Sequence, residues 1–508
     1  MDSFTSTVSS QTLQLDGIDA SSSFINIPFC YWYENSDREC NGNNNGSRDS
    51  FMPSGIMERA FYKALREFPV ICGHLKADTN SRMYVDIDKD NLNMPVYVDT
   101  CCDVEYSAIK ESGFNIGQLP VDLRAAHEVP APPGLFGGQI KLGHFYIVRF
   151  KGNSGVLVCA SIAHVLVDGS GFTKFINLWA ETSRWMQQHQ DDANKVPLSK
   201  CRYIHDRSIH ASYRSDQTTA LDASILDILL TSNAFSRWLS WISPESRARI
   251  FKALSGVTTS TCCYFRISLE ALEDLRANMQ KYAPAETRYS INDVISAYIV
   301  IVVVQAKEKG STEWWSRPVP SAIRAVYSNS LGKHEGFQTS IAFNMRPRIN
   351  NSDIDDFVGN MASVKVLWFP QDLVNTEPTD KALATLATSI HEAVAAIDES
   401  FVSQIGHLLE KEPDSYMRFA LGSMNQKPNM IISSQIRFAH YDVDFGAGIP
   451  SLCRMAPCAF PDVAFILPGN TSERGYYEIA LNVAPNVALY IIGNPSWMKL
   501  VSEYDCYL

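Results

Sequence analysis

Apolar positions along the chain repeat alternately with helical and strand periods, and this alternation predicts an α/β fold. Residues 56–68 (IMERAFYKALREF) place Ile56, Ala60, Ala64 and Phe68 on one helical face. GHFYIVRF (143–150) and VLVCASIA (156–163) read as strands, the second apolar on both faces and therefore expected deep in a sheet. From Phe172, the residues Phe175, Ile176, Trp179 and Met186 trace one face of a helix. A second series begins near residue 261, with TCCYFRIS as a strand and LEALEDLRANMQ as a helix. From Ser290, SINDVISAYIVIVVVQAKEK opens with capping residues and continues as a long apolar helix. FQTSIAFNMRPRI, MASVKVLWF, IISSQI, YEIALNV and VALYIIG read as strands, and LATLATSIHEAVAAI as a helix.

These patterns divide the chain into an N-terminal domain (1–200), a crossover (201–255) and a C-terminal domain (256–508). The halves have similar strand and helix content without an internal sequence repeat. Within the crossover, the amphipathic stretch at 225–242 is expected to pack over the domain junction. VPAPPG (129–134) and NGNNNGS (41–47) read as loops.

Composition adds limits to this picture. A chain of 508 residues with 45% hydrophobic and 19% charged residues has a globular composition and exceeds one ordinary core. Its net charge of −11 argues against broad nucleic-acid binding, which needs a basic face. The 12 cysteines include no CxxC pair, and Cys453 and Cys458 lack the other ligands of a zinc site. No metal is expected, and the thiols are read as reduced. The N-terminal residues show neither a basic nor an apolar signal region, and the apolar run Val294–Val304 is too short to span a bilayer. A soluble, cytoplasmic monomer is the expectation.

The candidate chemistry lies in His164-Val165-Leu166-Val167-Asp168-Gly169. His164 ends the apolar strand and precedes a turn and a helix, where a side chain can project from a rigid sheet. An imidazole titrates near ~6.5, so at neutral pH it can accept a proton from an alcohol or amine. Asp168 could fix the loop or the tautomer, and Gly169 and Gly171 would let the backbone turn sharply. HxxxD alone is a weak signal, since about one chance copy is expected in a chain of this composition. A second copy does occur, His440 to Asp444, in a polar stretch leading into Asp444-Phe445-Gly446-Ala447-Gly448; there a core histidine is the favoured reading. Arg346 or Arg348, in NMRPR, could hold the acid of that tight backbone path.

Taken in order and 280 residues apart, HVLVDG and DFGAG resemble the HxxxDG and DFGWG motifs of the BAHD acyltransferase superfamily, in particular its fungal trichothecene-acetyltransferase-like branch. LREFPVICGHL, INDVISAYI, FNMRPR, FVGN and IISSQIRFAHYDVDFG resemble further landmarks in the same order, so the resemblance spans most of the chain. It implies two similar chloramphenicol-acetyltransferase-like domains, each a mixed sheet flanked by helices, with an active-site channel between them. It implies acyl-CoA as co-substrate, no bound cofactor and a small-molecule acceptor, with His164 as general base. Asp168 and Asp444 would be structural, each braced by an arginine, with Arg346 the expected partner of Asp444. Gly169 and Gly446 carry the turns of the two motifs, and Ser433 would help stabilise the tetrahedral oxyanion. Two departures stand out: Ala447 replaces the Trp of DFGWG, and Gln435 replaces the Trp of an upstream "SW" pair, making the acceptor side more polar.

The resemblance implies direct transfer of an acyl group, expected to be short, from CoA to a hydroxyl or amine of a secondary metabolite. Condensation-type enzymes, which use a carrier-protein thioester, usually show HHxxxDG, and Ala163 occupies the first His position here. A covalent route through Cys159 or Cys453 is a further alternative. A non-catalytic ligand-binding member of the fold is the alternative from outside enzymology.

Overall fold

The computed structural model describes residues 8–22, 26–36, 51–78, 82–119, 123, 140–189, 202–214, 222, 225, 260–309, 336–374, 377–411, 429–457, 462–469 and 475–506. The amphipathic stretch at 225–242 lies outside these residues except for Ile225, and so do both expected loops. In chain order the strands begin with β1 Gln11–Gln14, β2 Asn26–Glu34, β3 His74–Ala77, β4 Met83–Ile87 and β5 Val96–Cys101. Next come β6 Gly143–Arg149, β7 Gly155–Ala163, β8 Thr261–Ser268, β9 Phe337–Asn344 and β10 Ala362–Phe369. The series closes with β11 Asn429–Ser434, β12 Leu452–Met455, β13 Val463–Pro468, β14 Tyr476–Val483 and β15 Glu503–Cys506.

Two compact units share these strands, and neither is continuous in sequence. Residues 352–360 and 438–456 belong with residues 1–208, while 209–351, 361–437 and 457–508 form the second unit. The DFGAG segment, assigned by sequence to the C-terminal domain, therefore sits in the first unit. The reason is backbone pairing: β12, just after that segment, hydrogen-bonds antiparallel to β2, with Leu452 opposite Trp32 and Met455 opposite Phe29.

In the first unit a five-stranded sheet runs β12-β2-β7-β6-β5, parallel only between β5 and β6. β7 lies between β2 and β6, and all nine of its residues are buried, as its two-sided apolar run predicts. Helices Ser54–Glu67 and Gly169–Gln188 lie against one another and supply Phe61, Phe175 and Trp179. Those rings meet each other and Phe145 of β6 at centroid distances of 4.8–6.2 Å. Buried residues of a second cluster, among them Trp32, Tyr106 and Phe150, come from β2, the helix Tyr106–Glu111 and the position just after β6. A small sheet, β1-β4-β3, completes the unit.

In the second unit a seven-stranded mixed sheet runs β10-β9-β11-β13-β14-β8-β15, with β11 parallel to both its neighbours. The helix Ile291–Lys309 runs through its core, buried from Asp293 to Val304. Ser290 and Asp293 exchange backbone and side-chain bonds of 2.8 and 3.1 Å at its start, the capping expected from sequence. Among the described residues no helix is long and apolar enough to cross a membrane.

Two sequence expectations fail here. VALYIIG is not a strand: it falls in the helix Pro485–Ile492, with proline at the first helical position and Val487, Ala488 and Ile491 facing the core. Its apolar run is too short for periodicity alone to separate strand from helix. The cysteines are not all reduced, because Cys263 and Cys506 form a disulfide that joins β8 to β15.

Candidate active site

His164 is placed by three consecutive local decisions. The strand β7 ends at Ala163, and Leu166 N–H donates to the Ala163 carbonyl at 2.9 Å, closing a tight turn around the histidine. Val165, Leu166 and Val167 are buried and pin that turn. Asp168 then caps the helix Gly169–Gln188, its carboxylate accepting from Gly171 N–H at 3.0 Å. Asp168 is thus a buried helix cap. The two glycines act differently from expectation. Neither Gly169 nor Gly171 has a positive φ; both are helical. Gly171 is required for space, since a Cβ there would press on the Val358 carbonyl oxygen and lie 3.0 Å from Val167 Cβ.

That close approach brings the turn 357–360, the FVGN landmark, alongside the histidine. Asn360 is fully buried, and its Oδ1 lies 2.9 Å from His164 Nδ1. Its Nδ2 donates to the His164 carbonyl at 2.7 Å and to Asp19 Oδ1 at 3.0 Å. Both of those oxygens are obligate acceptors, so the amide nitrogen must face them and the amide oxygen must face the ring. Nδ1 therefore carries the proton, and Nε2 keeps its lone pair. Burial pushes the His164 pKa below the usual imidazole value; its own backbone carbonyl, Asp168, the Asn360 amide and Asp19 oppose that shift. His164 is still partly exposed. A neutral imidazole with a free Nε2, held from behind, is suited to general-base work.

Behind Asn360 lies an ion pair that the sequence reading missed. Asp19 is fully buried in the short helix Gly17–Ser21, and its Oδ2 lies 3.2 Å from Arg207 Nε. The guanidinium also donates to the Leu166 carbonyl at 2.6 Å and the His205 carbonyl at 2.8 Å. Only the FVGN landmark pointed toward Asn360; no local pattern marked Asp19 or Arg207.

The second motif serves the backbone. Asp444 Oδ1 accepts from Gly446 N–H at 2.8 Å and Gly448 N–H at 2.9 Å, and both glycines have positive φ, 99° and 84°. A Cβ on Gly446 would also lie 2.6 Å from the Gln187 amide. The arginine that meets Asp444 is Arg184, at 3.1 Å, in place of the expected Arg346. Arg184 comes from the same helix that follows the HxxxD turn, one face of which packs on Phe445 through Trp179. Arg346 is buried in the second unit, its backbone N–H donating to Asn344 Oδ1 at 3.0 Å, and Arg348 donates to the Asn344 carbonyl at 2.7 Å. His440 is a core histidine: it stacks on Phe29 at 4.1 Å, its Nδ1 lies 3.2 Å from Tyr31 Oη, and burial lowers its pKa to about 3. Cys159 and Cys453 are enclosed in the sheet at 0% and 3% exposure, which removes the basis for a covalent route through either.

In the second unit, Ser433 Oγ accepts from Gln435 Nε2 at 3.0 Å. The serine proton is thereby left to donate elsewhere, a state suited to stabilising a developing oxyanion. Gln435 Oε1 is buried with no hydrogen-bond partner among the described residues.

Residues 257–486 match the model of the Transferase family. An alignment of 22% identity covers 90% of this chain and 89% of hydroxycinnamoyl-CoA:5-hydroxyanthranilate N-hydroxycinnamoyltransferase HHT1 of Avena sativa. Anthranilate N-benzoyltransferase protein 2 of Dianthus caryophyllus is 21% identical over 66% of this chain and 64% of its own length. The crystal structure of F. graminearum TRI101 complexed with ethyl coenzyme A superposes with a TM-score of 0.65 over 98% of this chain and 100% of that one, at 14% identity. The carboxy-terminal half of the chain thus matches the Transferase family, the chain is similar in sequence to proteins named as acyltransferases, and it shares its fold with the coenzyme A complex of TRI101.

Proposed function

We propose that this acyltransferase moves a short acyl group from coenzyme A to a hydroxyl or amine of a small secondary metabolite, with His164 Nε2 as the general base. The observation that carries this reading is the Asn360 amide on Nδ1, which leaves Nε2 as the basic nitrogen. Nε2 takes the acceptor's proton as its oxygen or nitrogen forms a bond to the thioester carbonyl carbon. The carbonyl π electrons move onto oxygen, and the tetrahedral intermediate re-forms the C=O bond as the C–S bond breaks. The departing CoA thiolate then recovers the proton from the imidazolium.

Coenzyme A as donor rests on the oat relative's hydroxycinnamoyl-CoA and on the ethyl coenzyme A of the fungal structure. The short acyl group and the metabolite acceptor follow the motif resemblance to the fungal branch. Acyl-CoAs of graded length, screened for thiol release against a panel of alcohols and amines, should identify a productive pair. With that pair, His164→Ala should lower kcat by about 10²–10⁴, the usual contribution of a general base. Thiol release at the wild-type rate in His164→Ala would sink the assignment, and turnover only with a carrier-loaded donor would replace CoA.

A further inference from the structure

Four segments distant in sequence converge behind His164 through one carboxylate. Asp19 Oδ1 accepts from Asn360 N–H at 3.1 Å and from its Nδ2 at 3.0 Å. Oδ2 accepts from Asp16 N–H at 3.1 Å and from Arg207 Nε at 3.2 Å. Every donor aimed at Asp19 is thus met by an acceptor-only group, and both residues of the ion pair are buried, at 0% and 6% exposure. Arg207 is held in turn by the Leu166 carbonyl, within the turn that carries His164, and its guanidinium stands 5.3 Å from the Phe357 ring, three residues before Asn360. A buried pair with this many fixed partners contributes little through Coulomb attraction alone, given its desolvation cost, but it imposes a direction on every hydrogen bond it joins.

We propose that the Asp19–Arg207 pair is the positioning device that fixes the proton of His164 on Nδ1; this rests on His164 being the base. The chain of cause is short. Asp19 can only accept, so Asn360 must present nitrogen to it; the amide oxygen is then turned to the imidazole and selects the Nδ1–H tautomer. An asparagine at position 19 has the same shape but one donor end. Whichever way it turns, an NH2 group faces donors, from Asn360 at one end or from Asp16 and Arg207 at the other. One of the two acceptor-only groups that orient the Asn360 amide is then lost, leaving the His164 carbonyl alone to hold it, and the tautomer with its proton on Nε2, useless as a base, gains population. Asp19 and Arg207 are positioning residues in this scheme; neither touches the imidazole.

The test uses the full chain with 15N-labelled histidine imidazoles, the His164 signals being assigned by their loss in His164→Ala. Wild-type protein should show a protonated Nδ1 and an unprotonated Nε2. Asp19→Asn should show both tautomers. Its His164 titration midpoint should also move down, because one of the two carboxylates whose charge favours the imidazolium, Asp168 and Asp19, has been neutralised. With acetyl-CoA or the best donor from the screen, kcat should fall about 10- to 100-fold with little change in KM, as when an outer orienting partner is removed. Should Asp19→Asn not fold, Asn360→Leu keeps the ion pair and cuts the relay, and the same mixture of tautomers is expected. A single Nδ1–H signal with wild-type kcat in Asp19→Asn, or a single Nδ1–H signal in Asn360→Leu, overturns the proposal. Full thiol release by His164→Ala would instead overturn the base assignment and leave the tautomer result standing.

Discussion

An imidazole between water and core can serve as a base only while it is neutral and its lone pair points outward. His164 meets both conditions through its surroundings: burial disfavours the cation, and the Asn360 amide oxygen occupies the Nδ1 side. The sign for activity follows. A depressed pKa keeps the base form present at neutral pH, and protonation begins only as the pH falls through that lowered value. The kcat profile should therefore be flat near pH 7 and fall on the acid side with a one-proton slope, its midpoint below the ~6.5 of free imidazole. A midpoint above that value, measured by thiol release at saturating donor and acceptor, would contradict the reading. His440 shows the other fate of a buried histidine: stacked on Phe29 and held down to about 3, it stays neutral and contributes packing.

At the scale of elements, the strand β7, the turn and the helix Gly169–Gln188 act as one rigid mount. Gly171 lets the backbone at Val358 come close, and that approach sets the position of Asn360 two residues on. Gly171→Ala should push the turn away, costing about 1–3 kcal/mol of stability as overpacking does. It should lower kcat more than the change in Tm accounts for, which paired melting and kinetic measurements would show. The Asp444 loop is mounted on the same helix through Arg184 and Trp179. Asp444→Ala removes the acceptor of two exposed backbone N–H groups, which water can then meet, and should cost about 1 kcal/mol. Because among the described residues Asp444 bonds only to backbone N–H groups and Arg184, residual catalysis should persist at temperatures where the variant stays folded; complete inactivity in a folded variant would give this acid a chemical role.

Across the whole molecule, each of the two units is assembled from segments that are far apart in sequence. The first unit receives both the Asn360 turn and the Asp444 loop from later sequence, and without the Asn360 turn His164 would lack its tautomer anchor. In the second unit the disulfide Cys263–Cys506 fastens the last strand to the sheet and spans a sequence separation of 243 residues. In the chain-entropy picture a loop of that length constrains the unfolded state by about 5 kcal/mol. Cys506→Ser should therefore lower the Tm under non-reducing conditions, and a reducing agent should lower the wild-type Tm toward the variant's value. Equal melting of the two proteins without reductant would show the bond to be absent in solution.

Periodicity alone disclosed the buried β7, the helix after it, the capped helix from Ser290 and most strands of the second unit, because burial on a regular element leaves a regular trace. It misread VALYIIG, where a short apolar run suits either element, and it did not reveal that 352–360 and 438–456 belong with the first unit. Ordered motifs selected His164 over His440, and the chemistry of imidazole suggested a base. Only the tertiary structure decided that Arg184 meets Asp444, that Gly171 serves space rather than a turn, and that Asp19, Arg207 and Asn360 stand behind the histidine. These relations join residues up to 341 positions apart through one or two hydrogen bonds. A lone polar residue has no period, so its partner exists only once the chain has folded.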